Sequence, residues 1–489
     1  MQVTCPHCGQ TTPLVLPEHA AAPSSAEPSQ TPASPAAPTA AEVVAAFTGP
    51  VPRTPAAFFY RLGLVLVSLM MVLLPLVYLA MVVAAGWGVY YYATHFAWLL
   101  ESTRGGGRAY LFKLMLYLGP LFVGLVLVFF MVKPLFARRA PSAQPLALNP
   151  DVEPTLFAFI ARICELVGAP MPTRIDLDCQ LNAAASFRRG ALSLFRNDLV
   201  LTLGLPLVAT LNLREFAGVI AHEFGHFTQG FGMRASYVIR TVNGWFARVV
   251  YERDAWDVTL AQWVEESGDV RVALVVGSAQ FAVGCSRFLL KLLMLLGHGV
   301  SCFLLRQMEY DADSYEIKLA GSAVFESTAR RLAVISKALE QTYKEMRVKW
   351  NLSRHLPDNF PAYLAHRDAA TPPAIREQIQ DTLGLATTGV FDSHPSDGDR
   401  IRQARRADEP GVFHLDLPAT VLFSNFEAAA KQVTQLHYAD DLGIPFDPSM
   451  LRPIEASAAT AREATSPADS SAPVPASGTR LRVRLKPPA

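Results

Sequence analysis

The sequence predicts an α+β chain that is mostly helical and begins with a hairpin of two membrane-spanning helices. No Asp, Glu, Lys or Arg occurs at positions 62–100, and a second uncharged run covers 114–132. A hydrophobic run of about 20 residues is long enough to cross a bilayer as a helix. After residue 150, short β-type segments alternate with segments of helical periodicity, a pattern typical of a small sheet packed with helices.

A third apolar region, residues 272–305, is interrupted by Arg287 and Lys291. The uncharged pieces on either side are each too short to span a bilayer alone. Three interpretations remain open for this insert: a membrane-embedded hairpin, one long tilted helix, or a pair of apolar helices in a soluble core.

Basic residues predict the orientation of the hairpin, because cytoplasmic loops are enriched in Lys and Arg. Five flank the two spans, namely Arg53, Arg61, Lys133, Arg138 and Arg139. Three lie between them, namely Arg104, Arg108 and Lys113. The excess outside the hairpin places both of its ends, and the domain that follows, in the cytoplasm. The lipid bilayer is therefore an expected partner.

Composition suggests the boundaries of the remaining regions. Residues 20–56 are rich in Ala, Pro, Ser and Thr, which predicts a disordered linker, and 456–489 repeat this composition as a disordered tail. The hairpin then occupies 57–136, and a catalytic domain with the apolar insert occupies 137–455. No cleavable signal peptide is expected, since the first apolar segment appears only after residue 57.

The N-terminal residues 1–19 contain the knuckle Cys5-Pro6-His7-Cys8-Gly9. Such a knuckle is usually half of a zinc ribbon, but the sequence lacks a second C-x-x-C. Cys5 and Cys8 are therefore either ligands of a possible structural zinc or a remnant without metal. The six cysteines show no disulfide framework, and the net charge of +1 gives no indication of nucleic-acid binding.

The segment His222-Glu223-Phe224-Gly225-His226 is the strongest chemical signal, and it lies in a predicted helix over 213–229. Residues i and i+4 share one face of a helix, so His222 and His226 can bind one zinc ion, with Glu223 beside them as general base. The alternative is a buried helix with two core histidines. A metzincin would require His at position 232, which is Gly here, so the third ligand must come from elsewhere.

Glu309 is the best candidate for the third ligand, and it would complete a His2Glu zinc site. Asp313, one turn further along a predicted helix, is placed to accept the second ring N–H of a zinc-bound histidine. The alternative for this cluster is a solvated acidic start of a helix.

These motifs resemble the integral-membrane zinc endopeptidases of the HtpX and CAAX prenyl protease type. Over residues 150–405, H-E-F-G-H is followed by E-Y-D-A-D at 309–313. Asn182-Ala183-Ala184-Ala185 is similar to the N-A-F-A edge-strand motif of the family, with Ala184 in place of its Phe. Ser393-His394-Pro395 and Arg400-Ile401 are similar to its [ST]-H-P…R-I motif.

The resemblance implies a gluzincin-type fold and a specific use of the matching residues. Asn182 and the backbone at Ala183 would hold an extended peptide, His394 would stabilise the oxyanion, and Arg400 would support the cleft. It also implies a bacterial inner-membrane enzyme that faces the cytoplasm and cleaves proteins in quality control or processing. The alternative is a catalytically silent membrane scaffold that recruits partners through its knuckle and linker.

Overall fold

The structure is a computed structural model that describes residues 2–4, 11–13, 38–52, 58–101, 107–136, 145–187, 198–228, 231–251, 270–445 and 447–453. The chain divides into two compact units, Met1–Pro38 and Thr39–Ala489. In the first unit, strands β1 (Gln2–Thr4) and β2 (Thr11–Pro13) pair antiparallel.

Two predictions fall outside the described residues. Cys5 and Cys8, the possible structural zinc ligands, lie between the two described strands of the first unit, and the predicted tail begins after residue 453. Both remain predictions.

The second unit is mostly helical with a small sheet, as the sequence predicts. Its strands are β3 (Leu146–Ala147), β4 (Arg174–Asp178), β5 (Ala183–Phe187), β6 (Leu199–Gly204), β7 (Leu356–Pro357) and β8 (Leu451–Arg452). Its helices are α1 (Ala40–Ala45), α2 (Phe58–His95), α3 (Trp98–Glu101), α4 (Gly107–Val132), α5 (Pro154–Val167), α6 (Leu205–Thr210), α7 (Leu213–Gly225), α8 (Phe231–Tyr251), α9 (Val270–Ala320), α10 (Ser322–Ser353), α11 (Phe360–Ala369), α12 (Pro373–Leu385), α13 (Asp397–Ala407) and α14 (Phe426–Leu436).

Three helical segments of the described chain are long and apolar enough to cross a membrane. They are Phe58–Leu100, Gly107–Phe136 and Val276–Ala320. The first two contain the predicted hairpin, and most of their apolar side chains face outward. The 38 residues of α2 extend about 57 Å, whereas a hydrocarbon core is about 30 Å thick. Helix α2 is therefore longer than one bilayer crossing requires.

The apolar insert 272–305 lies within one continuous helix, α9, of 51 residues. The interpretations as a hairpin or as a pair of helices are therefore wrong. Arg287 and Lys291 do not interrupt α9, since both residue types favour helices and neither removes a backbone hydrogen bond. Gly297 permits close contact with α2, because a Cβ atom there would lie 2.7 Å from Leu74 Cδ1.

The larger sheet has the strand order β3-β4-β6-β5. Strand β4 pairs parallel with β6, and β5 pairs antiparallel with the other side of β6. Among the described strands, β5 therefore lies at an edge of the sheet, as predicted for this segment, and it begins one residue after Asn182. Gly204 is required at this edge, because a Cβ atom there would lie 1.8 Å from the carbonyl oxygen of Gln180.

The core of the second unit extends into the predicted linker. Thr39 and Glu42 form a capping box at the start of α1, and Val43 is fully buried. The Phe47 ring lies 4.3 Å from the Phe413 ring, centroid to centroid. The prediction of disorder over 20–56 is therefore wrong for the described part, 39–52. Because the composition was averaged over residues 20–56, it did not reveal the few apolar residues that pack as a short helix.

Candidate active site

Helix α7 positions the two histidines against α9. Asn212 caps α7 by accepting a hydrogen bond from the Glu215 backbone N–H at 2.8 Å. A Cβ atom at Gly218 would lie 3.1 Å from Ala320 Cβ, and one at Gly225 would lie 3.0 Å from Ala312 Cα. These two glycines therefore let α7 pack closely on α9. The helix ends at Gly225 rather than at 229, so His226 forms its C-cap.

The Nε2 atoms of His222 and His226 converge on the carboxylate of Glu309. His222 Nε2 lies 3.5 Å from Glu309 Oε2, and His226 Nε2 lies 3.8 Å from Glu309 Oε1. Nitrogen and oxygen ligands about 2.0–2.1 Å from one tetrahedral zinc ion lie ~3.3 Å apart. The two distances to Glu309 exceed this value by only a few tenths of an ångström, and all three ligand atoms lie within 4.8 Å of one another, so the three residues could hold one zinc ion. The position of Glu309 within α9 also excludes the interpretation as a helix start.

A second set of acidic groups faces the other ring nitrogen of His222. His222 Nδ1 lies 3.0 Å from Asp313 Oδ1 and 3.6 Å from Glu316 Oε2. Burial alone would lower the pKa of His222, but the neighbouring carboxylates of Asp313 and Glu309 raise it well above the ordinary value. Asp313 thus lies where the sequence predicts it. Glu316 was missed, although its spacing of i+3 from Asp313 on α9 was a usable signal.

Glu223 lies between the histidines and the edge strand. Its Oε2 atom is 3.4 Å from the backbone N–H of Ala185, which donates to it. Burial raises the pKa of the Glu223 carboxyl. A carboxyl group with a raised pKa is better matched to proton transfer near neutral pH.

Within the described residues, no strand pairs with the side of β5 that lies away from β6, and Glu223 contacts that side. The Asn182 carbonyl accepts from Gly204 N–H at 2.8 Å, so Asn182 directs its backbone toward β6. Alternate residues of an antiparallel strand direct their backbone groups to opposite sides. Ala183 and Ala185 therefore direct theirs away from β6, where the Ala185 N–H reaches Glu223. The Asn182 side chain is exposed.

A guanidinium and a third imidazole also lie close to Glu309. Arg240 Nη2 donates to Glu309 Oε1 at 2.8 Å, and His394 Nδ1 lies 3.4 Å from Glu309 Oε2. His394 is thus at the site, as the sequence predicts. Burial and the charge of His222 lower the pKa of His226 to about 3. Arg240 was missed, because it lies on α8 outside any motif and no spacing relates it to the ligands.

Arg400 supports the site from α13. Its guanidinium donates to both carboxylate oxygens of Asp313, at 2.9 and 2.5 Å, and Asp313 is only 1 % exposed. This bidentate pair fixes the carboxylate that faces His222.

Removing Arg400 is expected to destabilise the fold. The Arg400→Leu variant would leave Asp313 buried without its cation, which typically costs about 3–5 kcal/mol. Urea unfolding of the detergent-solubilised chain measures this loss. Arg405→Leu is the matched control, because Arg405 forms an exposed pair with Glu326 and little change is expected. Equal stability of the two variants would contradict a structural role for the Arg400–Asp313 pair.

Comparison with known proteins adds one finding. The family model of peptidase family M48 matches residues 153–408, slightly more than half of the 489 residues, and includes every residue of the site. No curated protein and no solved structure gives a significant match. The chain therefore belongs to peptidase family M48.

Proposed function

We propose that the protein is a membrane-bound, zinc-dependent endopeptidase. The observation that supports this most directly is the convergence of three ligand side chains, those of His222, His226 and Glu309. Glu223 lies beside them and contacts the edge strand β5. Membership of family M48 indicates a metallopeptidase, and such peptidases are typically zinc-dependent. Zinc, when bound, would polarise the scissile carbonyl and make water a stronger nucleophile.

Each side chain then has a role that follows from its position. Glu223 takes the proton from the attacking water and delivers it to the leaving amine, since its carboxylate is buried beside the ligands. The His394 imidazole, at the outer side of Glu309, stabilises the oxyanion that develops on the scissile carbonyl. Asp313 orients His222 through Nδ1 and is itself held by Arg400.

The substrate would bind as an extended strand. The backbone groups of Ala183 and Ala185 that point away from β6 would offer hydrogen bonds to a peptide that lies alongside β5. The exposed Asn182 side chain would hold the same peptide at the start of the strand. Recognition through backbone groups favours broad sequence specificity. The Ala185 N–H donates to Glu223 in this structure. With a peptide bound, it would donate to the substrate as well as, or instead of, Glu223.

The proposed location is a bacterial inner membrane, with the site toward the cytoplasm. Three apolar helical segments support membrane association, and the basic residues that flank the hairpin support the orientation. Glu309 lies four residues after Leu305, where the uncharged part of α9 ends. This arrangement fits an enzyme that cleaves misfolded or unassembled membrane proteins. A processing protease with one lipidated substrate is the second possibility within the same chemistry.

Digestion of an unfolded protein tests the proposal. The detergent-purified chain is expected to contain about one zinc ion at the catalytic site and to cleave β-casein, with cleavage lost when a chelator removes the metal. Zinc without cleavage of any unfolded protein would contradict broad specificity and favour a single dedicated substrate. A chain with neither zinc nor cleavage would contradict the proposal and favour a membrane scaffold.

A further inference from the structure

The loop that precedes His394 is held by side chains of α9. Four consecutive backbone carbonyls of this loop, at residues 389–392, accept hydrogen bonds from the same helix. We name the three donors the carbonyl clamp: His298, Cys302 and Arg306. None of them belongs to a sequence motif, and the catalytic roles described above do not use them.

Arg306 makes most of the contacts in the clamp. Its Nη1 atom donates to the carbonyls of Gly389, Val390 and Asp392 at 3.0, 2.9 and 3.1 Å. A guanidinium is a permanent cation, so these carbonyls receive a charge-assisted donor whatever the pH.

The carbonyl left between them, that of Phe391, is held by the rest of the clamp. His298 Nε2 lies 2.7 Å from this oxygen, and Cys302 Sγ donates to it at 3.2 Å. Because a carbonyl oxygen only accepts, His298 must present Nε2 as N–H. The Phe391 ring also lies against α9, since a Cβ atom at Gly299 would be 3.7 Å from its Cε1.

The clamp and the proposed zinc ligand share one rigid element. Residues 298, 302 and 306 follow each other at i+4, which puts them on one face of α9. Glu309 comes three residues after Arg306 on the same helix. One helix therefore fixes both the carboxylate of Glu309 and the loop that bears His394.

A second anchor holds the loop on the other side of His394. Ser396 caps α13, and its Oγ accepts from Asp399 N–H at 3.2 Å. Asp399 Oδ2 accepts the Thr388 backbone N–H at 2.9 Å, which ties the two ends of the loop together. His394 thus lies between the clamp and the cap of α13, and its Nδ1 lies 3.4 Å from Glu309 Oε2.

We propose that Arg306, assisted by His298, is a positioning residue that keeps His394 at the reacting carbonyl. This inference rests on the oxyanion role proposed for His394. A displacement of about 1 Å at a reacting group can cost about 10²-fold in rate. Loss of the clamp would leave the loop held by the cap of α13 and by the contact of His394 with Glu309, so the imidazole would spend less time in place.

A double-mutant cycle tests the proposal. Arg306→Gln is expected to lower kcat about tenfold, with unchanged zinc content and little change in KM. In a His394→Ala background the same change is expected to cost nothing further, because its effect acts through His394. Arg306→Lys keeps a cation and is expected to restore part of the loss. The matched control is Arg330→Gln, whose guanidinium also donates to a backbone carbonyl, that of Gln380, away from the site.

Hydrogen exchange supplies a readout that does not depend on activity. In the Arg306→Gln variant, the backbone amides of residues 386–396 should exchange faster than in the wild type. Those of α7 should exchange at the same rate. Unchanged exchange in the loop would show that the clamp does not order it and would overturn the proposal. An equal kcat loss with and without His394 would also overturn it. If His394→Ala alone retains full kcat, the oxyanion role fails together with this inference, while the zinc peptidase itself stands.

Discussion

The Glu223→Gln variant is expected to lose about 10²–10⁴-fold in kcat while it retains its zinc. The amide has nearly the shape of the carboxylate and can still accept the Ala185 N–H, so the packing around α7 is preserved. It cannot take a proton from water, and this is the step assigned to Glu223. Because Glu223 is not among the convergent ligand atoms, the metal should remain.

Two measurements on the same preparation check this result. Zinc content is determined by elemental analysis, and kcat is determined on an unfolded protein. Glu165→Gln is the matched control, since Glu165 lies on α5 in an exposed pair with Arg162 and should leave both quantities unchanged. Retained turnover in Glu223→Gln would refute its role as base. Loss of zinc would instead show that Glu223 helps to hold the metal.

Local sequence patterns predicted the site better than its surroundings. The amphipathic period over 154–167 predicts a helix and the β-type run 174–178 predicts a strand, and α5 and β4 have these bounds. The i,i+4 rule placed His222 and His226 on one face of their helix, α7. The same rule placed Glu309 and Asp313 on one face of α9. Arg240 could not be found in this way, because its contact with Glu309 depends on how α8 packs against α9 and not on any spacing.

Two segments, α9 and residues 39–52, show what local sequence patterns did not decide. Counting uncharged residues divided α9 into two short pieces, although Arg287 and Lys291 leave its backbone hydrogen bonds intact. Composition assigned residues 39–52 to a linker, yet Val43 and Phe47 are buried in the core of the second unit. The linker prediction was wrong because tertiary contacts, and not local composition, decide whether a segment with a few buried apolar residues is ordered. For α9, one long helix was among the interpretations that the sequence left open.

The Glu309→Gln variant is expected to lose more zinc than any variant of a residue that contacts the ligands without binding the zinc itself. An amide oxygen has no negative charge, so the site would fall from three good ligands to two. The Asp313→Asn variant is the graded comparison. Asp313 faces His222 Nδ1 and not the convergent Nε2 atoms, so its loss should reduce zinc affinity by the ~10–100-fold that is usual for a partner of a ligand.

Competition with a chromophoric chelator, at a temperature where each variant is folded, measures both affinities. Glu309→Gln should lie well below Asp313→Asn, and Glu326→Gln, in a partly exposed surface pair, should match the wild type. Wild-type affinity in Glu309→Gln would remove Glu309 from the ligand set and turn attention to the other convergent group, His222, Asp313 and Glu316. The order of the two losses therefore decides on which ring nitrogen of His222 the metal binds: Nε2 if Glu309→Gln loses more, and Nδ1 if Asp313→Asn does.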